Sequence, residues 1–176
     1  MEFIAESVTT FYDKEQDRLS LIFCNKDKKQ LLGFMTRQFL INLLKPLPHW
    51  LSQQYPNSGP RTTEQQWEIN CLEHQFSQQK ITVRYGKIHS SNHIESFLIS
   101  TVNLSKRHTT HDNPNIKLEF YDAGKAKRIF LMLNPAQLHK LIGEILKQVK
   151  SWDIDNPWQN SNAVSFLSNS NGGIVH

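Results

Sequence analysis

Cysteine is scarce in this chain. Only Cys24 and Cys71 occur in 176 residues. A disulfide framework is therefore not expected, and both side chains read as small buried hydrophobes. Glycine is also scarce, at seven. No GxGxxG, P-loop or GxSxG spacing occurs, which removes the local signatures of dinucleotide binding, nucleotide binding and serine hydrolysis. CxxC and HExxH are missing too, and no cofactor is implied. No apolar run approaches the roughly 18 residues that cross a bilayer. The longest, Phe39 to Leu44, is interrupted by Asn42 and stopped by Lys45 and Pro46. The opening MEFIAESVTT has early acidic residues and no basic segment, so it does not read as a signal peptide. The expectation is a cytoplasmic protein without a membrane partner.

What is present is an ordinary globular balance: 38% hydrophobic and 20% charged residues. Twenty basic against sixteen acidic side chains leave a formal charge of +4. That excess permits weak attraction to polyanions without requiring it. The length suits one domain with a real core. We expect that domain over residues 1–155 and a flexible tail over 156–176, where Ser, Asn and Gly dominate.

Segments 3–12 and 96–106 are rich in β-branched and aromatic residues and read as long strands. Residues 18–24 alternate, with Leu19, Leu21 and Phe23 on one face, and residues 31–35 return after NKDKKQ. Thr36 then caps a helix carrying Leu40, Leu43, Leu44 and Leu47; Pro46 and Pro48 break it near Lys45. Thr62 or Thr63 opens another helix, with Trp67, Cys71, Leu72 and Phe76 as its apolar stripe. ITVRY at 81–85 reads as a short strand. Later, Ile116, Leu118 and Phe120 alternate, DAGKAK turns, and RIFLML returns. Asn134 caps a last helix with Pro135 at its first position. Its apolar face is Leu138, Leu141, Ile142, Ile145, Leu146 and Val149.

Two segments follow one plan of strand, basic turn, strand, cap and helix. With Thr36 placed on Asn134, Leu40, Leu43, Leu44 and Leu47 fall on Leu138, Leu141, Ile142 and Ile145. The sequence thus predicts an α+β fold: an antiparallel sheet with helices packed on one face, built from pseudo-duplicated βββα units. The repeats would span 1–54 and 95–152, with the helix and strand at 62–85 inserted between them.

Candidate chemistry is thin. His89 and His93 are four apart, and His108 and His111 three apart, but both pairs lie in loop sequence. The strand between them spans roughly 35 Å, so one ion could not join the pairs unless that strand is broken, and no metal site is expected. Cys71 and His74 could meet on a helix, yet Cys71 sits near an apolar stripe, which favours packing over nucleophilic use. No catalytic residue is assigned.

Two surfaces are testable. The basic turns carry Lys26, Lys28 and Lys29, and Lys125, Lys127 and Arg128; a two-pronged cationic feature of this kind could grip nucleic-acid phosphates. Trp50, Trp152 and Trp158 either cap the ends of the core or serve a protein partner or self-association. The leading expectation is a non-enzymatic protein-binding or assembly module; the alternative is a nucleic-acid-binding accessory protein using the basic turns.

Overall fold

The structure, a computed structural model, describes residues 1–53, 61–83, 94–107 and 115–159. In chain order the first half contributes β1 (Glu2–Ala5), β2 (Ser7–Asp13), β3 (Arg18–Cys24), β4 (Gln30–Met35), α1 (Arg37–Leu44) and α2 (Leu47–Ser52). Next comes α3 (Thr63–Lys80). The second half supplies β5 (Ser96–Leu98), β6 (Thr101–Arg107), β7 (Asn115–Tyr121), β8 (Arg128–Leu133) and α4 (Pro135–Gln148), closed by a 3-10 turn at Lys150–Trp152.

The α+β class holds, with helices packed on sheets. The strands form two four-stranded sheets, ordered β1-β8-β7-β6 and β2-β3-β4-β5, rather than one antiparallel sheet. Each is an antiparallel meander of three strands with one parallel strand added. That added strand comes from the other half: β1 runs beside β8, and β5 beside β4.

The two segments expected as long strands each break where they change sheets. At the first break Glu6 N–H donates to Cys24 O at 2.8 Å. At the second, Ile99 N–H donates to Phe34 O at 2.8 Å and Ser100 N–H to Tyr121 O at 2.9 Å. The backbone therefore stays hydrogen-bonded through each crossing, first to one sheet and then to the other. Gly33 makes the second crossing possible. A Cβ there would lie 2.8 Å from Ile99 Cδ1 and 3.1 Å from Phe23 Cε2. Residues 81–83 are not strand, and 84–85 lie outside the described residues.

The inward faces of the two sheets meet in one core, where Phe23 and Phe120 sit with ring centroids 4.9 Å apart. Leu40, Leu44, Leu47 and Leu51 close one side of it, and Leu138, Ile142, Ile145 and Val149 another. The caps form as read from the sequence. Thr36 accepts from Phe39 N–H, while Asn134 and Gln137 hold each other's backbone N–H groups. Pro46 and Pro48 separate α1 from α2. The end of the chain's second half ties back to its first: Trp152 Nε1 donates to Asp17 Oδ1 at 2.5 Å, and Gln148 Nε2 to Thr10 O at 2.8 Å.

Candidate functional site

The helix α3 begins with a capping box, Thr62 and Gln65 exchanging hydrogen bonds. Its expected apolar stripe is not its buried stripe. The residues turned inward are polar and recur every four: Gln66, Asn70, His74 and Gln78. Gln66 Nε2 donates to Ser52 O at 3.0 Å, and Asn70 Nδ2 to Pro48 O at 2.6 Å. Gln78 Nε2 donates to His139 O at 2.8 Å, and Lys140 Nζ to Gln78 O at 2.9 Å. The reason lies in α4, which is covered on two sides. Its Leu138, Ile142 and Ile145 are buried in the core, while His139, Lys140 and Gly143 meet α3. Buried polar groups on one helix require hydrogen-bonding partners on the next.

At the centre of this contact, His74 Nδ1 and His139 Nδ1 lie 3.2 Å apart. Two neutral rings share one proton there, one donating and the other accepting. The indole of Trp158 stacks on His74 at 4.3 Å and meets His139 edge-on at 5.1 Å. Burial, reinforced by the Lys147 charge, pulls the His74 pKa down to about 4. Burial and the neighbouring His74 pull His139 down to about 3. Both rings are therefore neutral at pH 7, sealed under an aromatic cover.

Of the expected stripe, Cys71 packs against the core and Trp67 is half-buried, while two members are left outside. Leu72 is 62% exposed and Phe76 56% exposed. With Ile69, Glu73, Gln75 and Gln79 they line a shallow open groove. Lys80 Nζ lies 5.1 Å from the centroid of the Phe76 ring. Cys71 does not pair with His74, whose ring is taken up by His139 and Trp158. Burial pushes the Cys71 thiol up, helped by the charge of Glu68, the opposite of what a nucleophile needs.

The basic turns fall at strand ends of the two sheets. Lys26, Lys28, Lys29 and Lys125 are exposed and form no salt bridge with another described residue. Lys127 pairs with Glu95 at 2.9 Å, at the foot of the strand that borders β4. Lys117 and Arg128 each pair with Glu119 at 2.7 Å. Hydrogen bonding to Lys117 first, and to Arg128, lowers the carboxyl pKa, and Glu119 in turn raises that of the guanidinium. The Arg128 guanidinium also lies over Phe130 at 4.5 Å and Tyr121 at 5.6 Å. On the same outward sheet face Lys117 covers the Phe130 ring at 4.2 Å. Sequence reasoning missed these ring–cation contacts: Lys117–Phe130 and Arg128–Tyr121 join neighbouring strands, and Arg128–Phe130 joins alternate positions of β8 on the same face. The strand register carries the first two, which local spacing does not show.

Trp152 and Trp158 are each 2% exposed, inside the core, and Trp50 is half-buried against it. His89, His93, His108 and His111 lie outside the described residues. Among the described residues no group of three or more His, Cys, Asp or Glu side chains could hold a metal ion. Within the same residues no helix is long and apolar enough to cross a membrane. The chain matches no protein-family model, and no curated protein or solved structure matches it.

Proposed function

We propose that this chain is a non-enzymatic protein-binding or assembly module. One observation carries the reading: α3 packs by its polar stripe and presents Leu72 and Phe76 to solvent. Burying both side chains against a partner would recover roughly 1.5–3 kcal/mol each, a gain the isolated chain forgoes. Contiguous exposed apolar surface of this kind commonly marks an interaction site. The buried histidine pair supports a structural role, since its rings are neutral and covered.

The test compares the full chain with a Leu72→Glu, Phe76→Glu variant that retains its circular dichroism spectrum. Both are measured alone by light scattering and after incubation with extract of the source cells. The reading expects association, with itself or with a distinct protein, that the variant loses at least tenfold. Equal behaviour of the two proteins in both settings would overturn it.

A second reading, nucleic-acid binding, is favoured by the four exposed turn lysines and by the cation-covered Phe130 face. Glu119 offsets part of the charge on that face, so the turn lysines would carry most of the attraction. This reading expects single-strand binding that weakens steeply with salt and is lost on charge reversal at Lys26, Lys28, Lys29 and Lys125. No detectable binding at low salt excludes it.

The duplicated βββα plan belongs with these proposals. The reciprocal exchange of β1 and β5 supports it, and superposition of residues 1–54 on 95–152 tests it.

A further inference from the structure

Beyond α4 the chain is fixed by two tryptophans. After the 3-10 turn, Asp153 adopts left-handed backbone (φ 50°), and the chain returns as a strap to α3. Within residues 153–159, Asp153, Asp155 and Gln159 are exposed, while Ile154, Asn156 and Pro157 are half-buried. Only Trp158 is fully buried. Among the described residues the hydrogen bonds of the strap are local. Asp153 N–H donates to Lys150 O at 3.3 Å, and Trp158 N–H to Asn156 Oδ1 and Gln159 N–H to Asn156 O, each at 3.0 Å. Apart from Ile154, which packs partly against the core, the Trp158 indole is what holds the strap down.

The two tryptophans are seated differently. Trp152 Nε1 donates to Asp17, whose carboxyl is held below the usual carboxylate range by hydrogen bonds from Tyr12 and Trp152. That seat keeps its charge in mild acid. Trp158 Nε1 is buried with no hydrogen-bond partner among the described residues. Its indole lies flat on His74, with ring planes 10° apart, and edge-on to His139. Lifting it bares one face of a ring that takes up a proton in mild acid once water reaches it.

The surrounding charges oppose a proton inside the closed contact. On α4, Lys140 and Lys147 share the single carboxylate of Glu144, at 3.1 and 2.8 Å, which leaves one positive charge in excess. On α3, Glu73 lines the outward groove, and on α2, His49 is exposed beside Gln53. The acidic groups of the strap, Asp153 and Asp155, are exposed.

We infer that residues 153–159 form an acid-released strap: protonation of His74 lifts Trp158 off the α3–α4 contact while Trp152 and both sheets stay in place. The inference is independent of the binding-module reading. Under the closed strap His74 protonates at about 4, and once bared it returns toward 6.5. Closure is therefore complete above pH 6.5. As pH falls from 6.5 toward 4, the ratio of open to closed strap rises by up to about tenfold per unit.

Fluorine NMR of the full chain carrying fluorotryptophan tests this, with signals assigned by single Trp→Phe replacements and exposure read from the solvent-isotope shift. Between about pH 7.5 and about pH 4.5 the Trp158 signal is expected to become at least tenfold more open. Trp152 stays buried and the far-UV circular dichroism is unchanged. His74→Phe keeps the stack and takes no proton, so it cuts the release at least tenfold. Lys147→Gln, at a largely exposed position, cuts it about twofold, because a charge opposing protonated His74 in the closed strap is gone. A Trp158 that stays buried throughout, held by cation–π attraction to a charged His74, overturns the inference. So does a strap already open at the upper pH, or release that occurs only together with Trp152 and the helical signal. Release unchanged in either variant overturns it as well.

Discussion

Helices α3 and α4 lie side by side and solve opposite problems. The apolar face of α4 turns inward, with Leu138, Ile142 and Ile145 all buried, and its sequence pattern predicts its placement. In α3 the pattern fails for half of its stripe: Cys71 packs against the core and Trp67 is half-buried, but Leu72 and Phe76 face solvent while Asn70, His74 and Ser77 are buried. The difference teaches that an amphipathic pattern locates an apolar face without saying what covers it. For α4 the cover is the pair of sheets. For α3 the neighbour is the second, polar side of α4, so the hydrogen-bonding stripe is the one that goes in.

Substitutions on the two helices should expose this contrast most strongly. Leu138→Ala is expected to destabilise the chain by roughly 2–5 kcal/mol, since the site is fully enclosed. Leu72→Ala, in dilute solution where the chain is alone, is expected to change stability by less than about 0.5 kcal/mol. Urea unfolding of both variants measures the two values. Comparable losses would mean that α3 buries its apolar face after all.

Acid should act on the α3–α4 contact specifically. The folded-state pKa values of His74 and His139, about 4 and about 3, lie below the ordinary value of 6.5. As pH falls, the unfolded chain takes up protons first. The stability that the neutral rings contribute is therefore complete above pH 6.5 and drains away between pH 6.5 and about 3, each unit of difference counting for about 1.4 kcal/mol. His74→Phe keeps an aromatic ring against Trp158 and removes one of the two protonations. Its stability should fall more gently than wild type between pH 6.5 and 4, by a few kcal/mol over that interval. Parallel pH profiles would show that the pair is not buried as described.

A loss smaller than that at Leu138 or in acid is expected where Gly143 meets Gln78. A Cβ at Gly143 would lie 2.2 Å from Gln78 Oε1. Alanine should gain up to about 1 kcal/mol of helix preference, but Gln78 must then swing away and release its bond to His139 O, at a cost of roughly 1–3 kcal/mol. A net loss of about 1 kcal/mol is expected in Gly143→Ala, read by thermal unfolding. Adding Gln78→Ala removes the obstruction and should make the Gly143→Ala change neutral or stabilising.

Much of the fold was legible because it is written locally. The alternation at 18–24 and 115–121, the caps Thr36 and Asn134, and the paired prolines after Leu44 each act within a few residues. The two sheets were not legible. Segments 3–12 and 96–106 carry continuous strand-forming residues, and only long-range pairing decides that each changes partner midway. The candidate surface was half legible. Phe76 and Leu72 were visible as a stripe, but their outward direction depends on His139 and Gly143, over sixty residues further along. Nothing in the spacing of His74 pointed to His139.

The exchange of β1 and β5 has a consequence for synthesis. As the nascent chain leaves the ribosome, residues 2–5 have no ladder to join until residues 128–133 have been made. At about 5–20 residues per second that wait lasts roughly 6–25 s. Phe3, which ends in the core, must spend the interval exposed or in provisional contacts. The first meander likewise keeps an open edge until β5 arrives. The two edges therefore close in order: the first meander gains β5 about thirty residues before β8 arrives to take up β1, so the sheet holding Phe3 is the last to be completed.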